Sequence, residues 1–179
     1  MFICRVCLGL LLCAFCCLTG LRAHIEIGEP RARWATLDEV DGNWLEVEVP
    51  LTRRGDAPAG ELELRLELLL PIRETKINHT LLAHGEVRLL GLFEGNRKVF
   101  LYLPEEAVEH YGIDRRIIAW RIQVNGEFRK GGASQESIRR LFDQSSNSGP
   151  RIGFQRLYET PFYSETYPEK LAASPSYVR

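Results

Sequence analysis

Four histidines supply all the imidazole in this chain, and the first of them, His24, occupies the position with the most chemical consequence. Ala23, just ahead of it, is a small residue at the end of an apolar run, where a signal peptidase could cut. Cut there, His24 becomes the N-terminus, and its amine and imidazole could chelate one copper ion as half of a histidine brace. The second imidazole would have to come from His79, His84 or His110. Cleavage after Gly20 would remove that chemistry, and an unpaired histidine is by default a surface or capping residue. Zinc is less well served, since no cysteine follows Cys17 and the odd spacing of His79 and His84 would send them to opposite faces of one strand. Ser145, Ser146 and Ser148 lie in a linker-like stretch, without the strand-to-helix turn that exposes a hydrolase nucleophile. Glu105 and Glu106 begin a helical segment, where acids favour the helix dipole, an account more economical than a general acid/base pair. No catalytic residue and no cofactor is assigned, so a non-enzymatic protein is expected.

Aromatic residues offer binding rather than reaction. Trp34, Trp44 and Trp120 could form a sugar-stacking platform, although one buried tryptophan per strand is the commoner arrangement and Trp120 shares a strand face with Ile118, Ile122 and Val124. A glycan therefore stays among the possible partners. Asn78-His79-Thr80 matches the N-glycosylation acceptor pattern, which matters only in a eukaryotic secretory pathway.

The first residues set the compartment. All five cysteines, Cys4, Cys7, Cys13, Cys16 and Cys17, fall in a run with a basic start at Arg5 and an apolar stretch from Val6 to Leu18. That stretch is shorter than the roughly 20 residues a membrane-spanning helix needs, and none of the cysteines follows the small-residue tripeptide of a lipoprotein. Residues 1–23 read as a signal peptide, predicting a secreted or periplasmic product, possible also at the cell surface, that folds without disulfides. Removing 23 of 179 residues leaves 156, enough for a core that needs no disulfide staples. The 23 Lys and Arg residues less Arg5 and Arg22 leave 21 against 24 acidic residues, a balance that argues against nucleic acid as the main partner.

Period-two alternation then dominates. Leu45, Val47, Val49 and Leu51 alternate with Glu46 and Glu48, and Leu62, Leu64, Leu66, Leu68 and Leu70 alternate with Glu61, Glu63, Arg65 and Glu67. Strands place each leucine set on one face, whereas a helix would scatter it. Further strands are expected over 33–37, 75–83, 86–93, 98–103 and 116–124, making about seven. Asn125-Gly126 is the strongest hairpin signal, Gly95-Asn96 fits a second turn, and Pro104 to Gly112 frames a short helix. The expected fold is all-β, an immunoglobulin-like β-sandwich over 24–130 with a short helix between strands, and an OB-like barrel as the alternative.

Residues 131–179 form the expected extension: a helix with Ile138, Leu141 and Phe142 on one face and Ser134 as its cap, then SSNSGP as linker, then an irregular tail. Phe154, Tyr158, Phe162, Tyr163 and Tyr167 make that tail aromatic. Aromatics at this density are seldom left in water, so the tail either packs on its own sandwich or docks on a partner, for instance by adding a strand to a sheet edge.

The blocks WLEVEVPL (44–51), RKVFLYLPEEAV (97–108) and TPFY (160–163), with SPSYVR (174–179), resemble a group of secreted immunoglobulin-like proteins of Verrucomicrobia, some of them associated with type IV pilus genes. The resemblance covers most of the chain after the leader and carries no reactive residue. It implies an envelope or surface accessory whose partner is another envelope or surface protein. Copper polysaccharide monooxygenases resemble the competing picture, an N-terminal histidine brace on an immunoglobulin-like sandwich.

Overall fold

Why the leucine rows form strands is visible in where they go. In the computed structural model, which describes residues 24–37, 40–55, 60–72, 80–90, 92, 94–148, 151–161 and 176–177, both rows are fully buried between two sheets. The core joins Leu45, Val47, Val49 and Leu51, with Val99, Leu101 and Leu103 beside them in the same sheet, to Leu64, Leu66, Leu68 and Leu70 of the other. Each such side chain contributes about 2 kcal/mol of burial, and a one-residue slip of either strand would turn its row outward.

Four of the five strands of the first sheet are β1 (His24–Ile27), β2 (Arg31–Leu37), β3 (Val40–Arg54) and β6 (Gly95–Leu103). Strand β3 is long enough to pair β2 along its first part and β1 along its last on one edge, with β6 on the other. The second sheet runs β5 (Thr80–Leu90), β4 (Leu62–Pro71), β7 (Ala119–Val124) and β8 (Glu127–Ala133), all antiparallel. Thus β2-β3-β6 faces β5-β4-β7-β8, seven principal strands in an immunoglobulin-like sandwich and not a barrel.

The turns follow local chemistry. Asn125 and Gly126 have φ of 51° and 77°, as the tight β7–β8 hairpin demands. The Asn125 side chain also accepts a 2.8 Å hydrogen bond from the Glu63 backbone N–H, tying the hairpin to β4. Helix α1 (Glu105–His110) starts after Pro104 with Glu105 and Glu106 in its first turn. It ends at Gly112 (φ 55°), where the N–H groups of Gly112 and Ile113 return to the carbonyls of Glu109 and Val108.

Three expected boundaries move. The strands placed at 75–83 and 86–93 are joined in one continuous β5, because Gly85 lies inside the strand and makes room for neighbours instead of turning the chain. The strand expected from Arg116 begins at Ala119. The stretch read as linker from Ser145 is helical through Ser148, so α2 (Glu136–Ser148) runs further than its polar end suggested. Phe142 and Ile138 of α2 pack on Leu69, Leu82 and Ala119, the outward face of the second sheet.

Short strands finish the sandwich. Strand β9 (Arg151–Gly153) lies parallel to β5, β10 (Gln155–Arg156) pairs β6, and β11 (Ser176–Tyr177) pairs the end of β5. The chain therefore crosses from the edge of one sheet to the edge of the other at Phe154. A Cβ on Gly85 would stand 3.1 Å from the Phe154 Cβ and 3.1 Å from Leu101 Cδ1, so the glycine is what lets this aromatic close the side of the sandwich. On the opposite side the Lys130 ammonium donates a 3.0 Å hydrogen bond to the Ile27 carbonyl, joining β8 to β1.

Candidate binding groove

The histidines are set apart by the strands that carry them. His24 pairs Arg54 at one end of β3, whereas His110 follows β6, whose Leu103 pairs Leu45 nine residues earlier on β3. At about 3.3 Å per residue those ends are roughly 30 Å apart. His84 pairs Glu67 and alternates with the core residues Ala83 and Gly85, so it belongs to the outward face of the other sheet, with its Nδ1 buried and without a hydrogen-bond partner. His79 lies outside the described residues. Among the described residues no group of three or more His, Cys, Asp or Glu converges as metal ligands.

The tryptophans do not form one platform either. Trp34 and Trp120 pack against the core from opposite sheets, while Trp44 joins Phe100, Tyr102 and Leu157 on the outer face of the first sheet. Of the tail aromatics, Phe154 packs on the core and Tyr158 receives a hydrogen bond from the Arg156 guanidinium; Phe162, Tyr163 and Tyr167 lie outside the described residues. The bond to Tyr158 also holds the Arg156 pKa above its ordinary value.

Charged groups inside the fold are mostly paired. Glu46, fully buried, accepts from Arg33 Nε at 2.5 Å and from the Tyr102 hydroxyl at 2.9 Å. Burial alone would lower the Arg33 pKa, but the Glu46 hydrogen bond and charge outweigh it and raise the pKa. Glu67 accepts from Arg121 Nε at 2.7 Å, and Arg121 spans on to Asp143 at 3.7 Å with its guanidinium over the Phe142 ring, locking α2 to the sheet. Among the described residues Arg53 is the exception. It is 3% exposed; Nη1 donates to the Leu92 carbonyl at 2.7 Å, and Nε and Nη2 have no hydrogen-bond partner.

Among the described residues, a groove of about 380 Å³ lies between the β7–β8 hairpin and α2. Gly131 and Gly132 of β8 are among the residues that line it. A Cβ on Gly132 would come within 2.7 Å of Trp120 Nε1 on the core-facing side of β8, and one on Gly131 within 3.3 Å of Phe128 Cε2 on its outward side, so the two rings lie close against opposite faces of the β8 backbone. Phe128 stays 62% exposed at the rim. Gln123 and Arg139 add polar groups, and Phe142 closes the helix side. Sequence reasoning singled out Trp120 and Phe142 here but not Phe128. Its signal was an apolar residue beside two glycines in EFRKGG, just after the Asn-Gly turn.

No family model and no curated protein matches the chain. Among solved structures it is similar to a crystal structure from Akkermansia muciniphila, 14% identical, with a TM-score of 0.63 over 88% of this chain and 94% of that one. That likeness shows the fold alone. Its source lies within the Verrucomicrobia, in weak agreement with the resemblance of the strand blocks. Among the described residues no helix is long and apolar enough to cross a membrane.

Proposed function

We propose that this chain is a non-enzymatic interaction module of the cell envelope, secreted or periplasmic, that works by contact through the groove between β8 and α2. The observation that carries the reading is Phe128, a large aromatic left 62% exposed beside a concave surface. Exposed aromatics beside a pocket are what binding surfaces need, and single scattered apolar residues elsewhere need no such account. The leader-like N-terminus and the similarity to a Verrucomicrobial fold support an envelope setting, and an accessory role in type IV pilus or envelope assembly is the specific form we favour. Phe154 serves internal closure in this reading, which moves the contact surface from the tail to the groove.

A photo-crosslinking residue placed at Phe128 in the native host tests the idea. Adducts with envelope material at position 128, absent when the probe replaces exposed Glu109, support it; equal labelling at both positions, or none, overturns it.

A further inference from the structure

Two arginines share the core-facing side of the first sheet, at the end of the sandwich where β3 and β5 finish and β4 and β6 begin. The β3–β6 register sets Leu51 opposite Arg97 and Arg53 opposite Gly95 without a shift, so both arginines continue the inward rows of Val49 and Val99. They are diagonal neighbours across the strand pair, with Cβ atoms on the order of 7 Å apart, near enough for long side chains to hold one ion between them. Arg53 is the deeper, at 3% exposed, and Arg97 is partly exposed. The Leu92 carbonyl takes Arg53 Nη1, which leaves the Nε–Nη2 edge, the one that receives an oxyanion in bidentate fashion. Arg121 shows what that edge does beside an anion: its Nε and Nη2 close on Glu67 Oε2 at 2.7 and 2.5 Å.

Among the described residues neither arginine makes an ion pair, and Arg97 donates only to the Asn96 carbonyl, at 3.0 Å. The acceptors around them are engaged elsewhere. Glu26 and Glu48 pair Arg54 and Lys98 on the outer face of the sheet, the Asn96 amide oxygen accepts from Thr52, and Glu94 is exposed. Asp56 lies outside the described residues. Like charges side by side, one of them buried with two donors unmet, are destabilising until an anion joins them, and a buried donor of this kind calls for a bound ion or water. We propose that this end of the sandwich binds a phosphate group, held by Arg53 Nε and Nη2 and covered by Arg97. Two positive charges favour a dianion over a carboxylate, since a phosphate group carries about −1.5 to −2 at pH 7. The burial of Arg53 limits the guest to a small ion or a narrow phosphate end. This site is separate from the groove between β8 and α2 and does not depend on it.

Calorimetric titration of the purified chain with inorganic phosphate, in chloride at constant ionic strength, is the test, with acetate and glycerol 1-phosphate as comparisons. One saturable site per chain is expected, and phosphate at ten times its dissociation constant should raise Tm by about 5 °C. Arg53→Met should abolish the site, and Arg97→Gln should weaken it about tenfold. Phosphate also stabilises any folded chain by exclusion from its surface, so the variants supply the baseline. No saturable heat, an equal rise in Tm for parent and variants, or acetate bound more tightly than phosphate overturns the proposal. Arg97 is partly exposed, so Arg97→Gln decides the matter even where Arg53→Met fails to fold. Glycerol 1-phosphate bound as tightly as phosphate identifies a phosphate ester as the guest, and its exclusion identifies the free ion.

Discussion

Truncating Phe154 to alanine probes the closure of the sandwich directly. A fully buried Phe→Ala change costs about 3–5 kcal/mol, and Phe154 is only half-buried, so about 2 kcal/mol is expected. For a domain of this size that is a fall of about 4–8 °C in Tm. Urea unfolding followed by tryptophan fluorescence reads the change. Coupling to Gly85 makes the test specific to the close approach. In Gly85→Ala the new methyl would stand 3.1 Å from Phe154 Cβ and 3.2 Å from its Cδ2, and truncating the ring removes the second atom. The double variant should therefore be less destabilised than the sum of the singles, by about 1 kcal/mol. Costs that add within about 0.3 kcal/mol, or a Phe154→Ala loss below about 0.5 kcal/mol, would refute the claim that this residue seals the β5–β6 side.

Other outcomes can be stated briefly. Arg121→Ala leaves the Glu67 carboxylate buried with only Arg65 at 3.3 Å and removes the tie to α2, so a loss of about 3 kcal/mol in urea unfolding is expected. Asn125→Ala should cost about 2 kcal/mol, through both the positive φ and the bond from Glu63, whereas Asn125→Gly should cost about half as much because only the bond is lost. Arg53→Met exchanges a buried cation with two unpartnered nitrogens for an apolar chain, and its unfolding midpoint should equal or exceed that of the parent. Intact mass of the exported protein should give a chain beginning at His24; a different first residue excludes the copper brace.

The sandwich was legible because its core strands alternate with little interruption. Leu62 to Leu70 reads as a strand from the leucines alone, and Asn125-Gly126 marks the hairpin by its backbone freedom. The missed features depend on partners far away in sequence. Gly85 looks like a turn until Leu101 and Phe154 are seen to need its missing Cβ. Leu69 breaks the alternation because it faces α2, and the serines from 145 to 148 stay helical although their intrinsic propensity is poor. The groove was half legible. Trp120 and Phe142 were visible as apolar positions, but nothing local says that Phe128 remains in solvent while Trp120 turns inward.

The crossing at Phe154 also has a consequence in time. Strands β5 and β6 are complete by residue 103, yet the segment that caps their outer edges begins at residue 151. A chain emerging N-terminus first must hold two apolar-faced edges open while about fifty more residues follow, an interval of seconds at the rate of translation. Such edges are templates for pairing with other chains. The nascent protein is thus most vulnerable to misassembly just before its last sixth arrives, and any factor that escorts it would have its work in that interval.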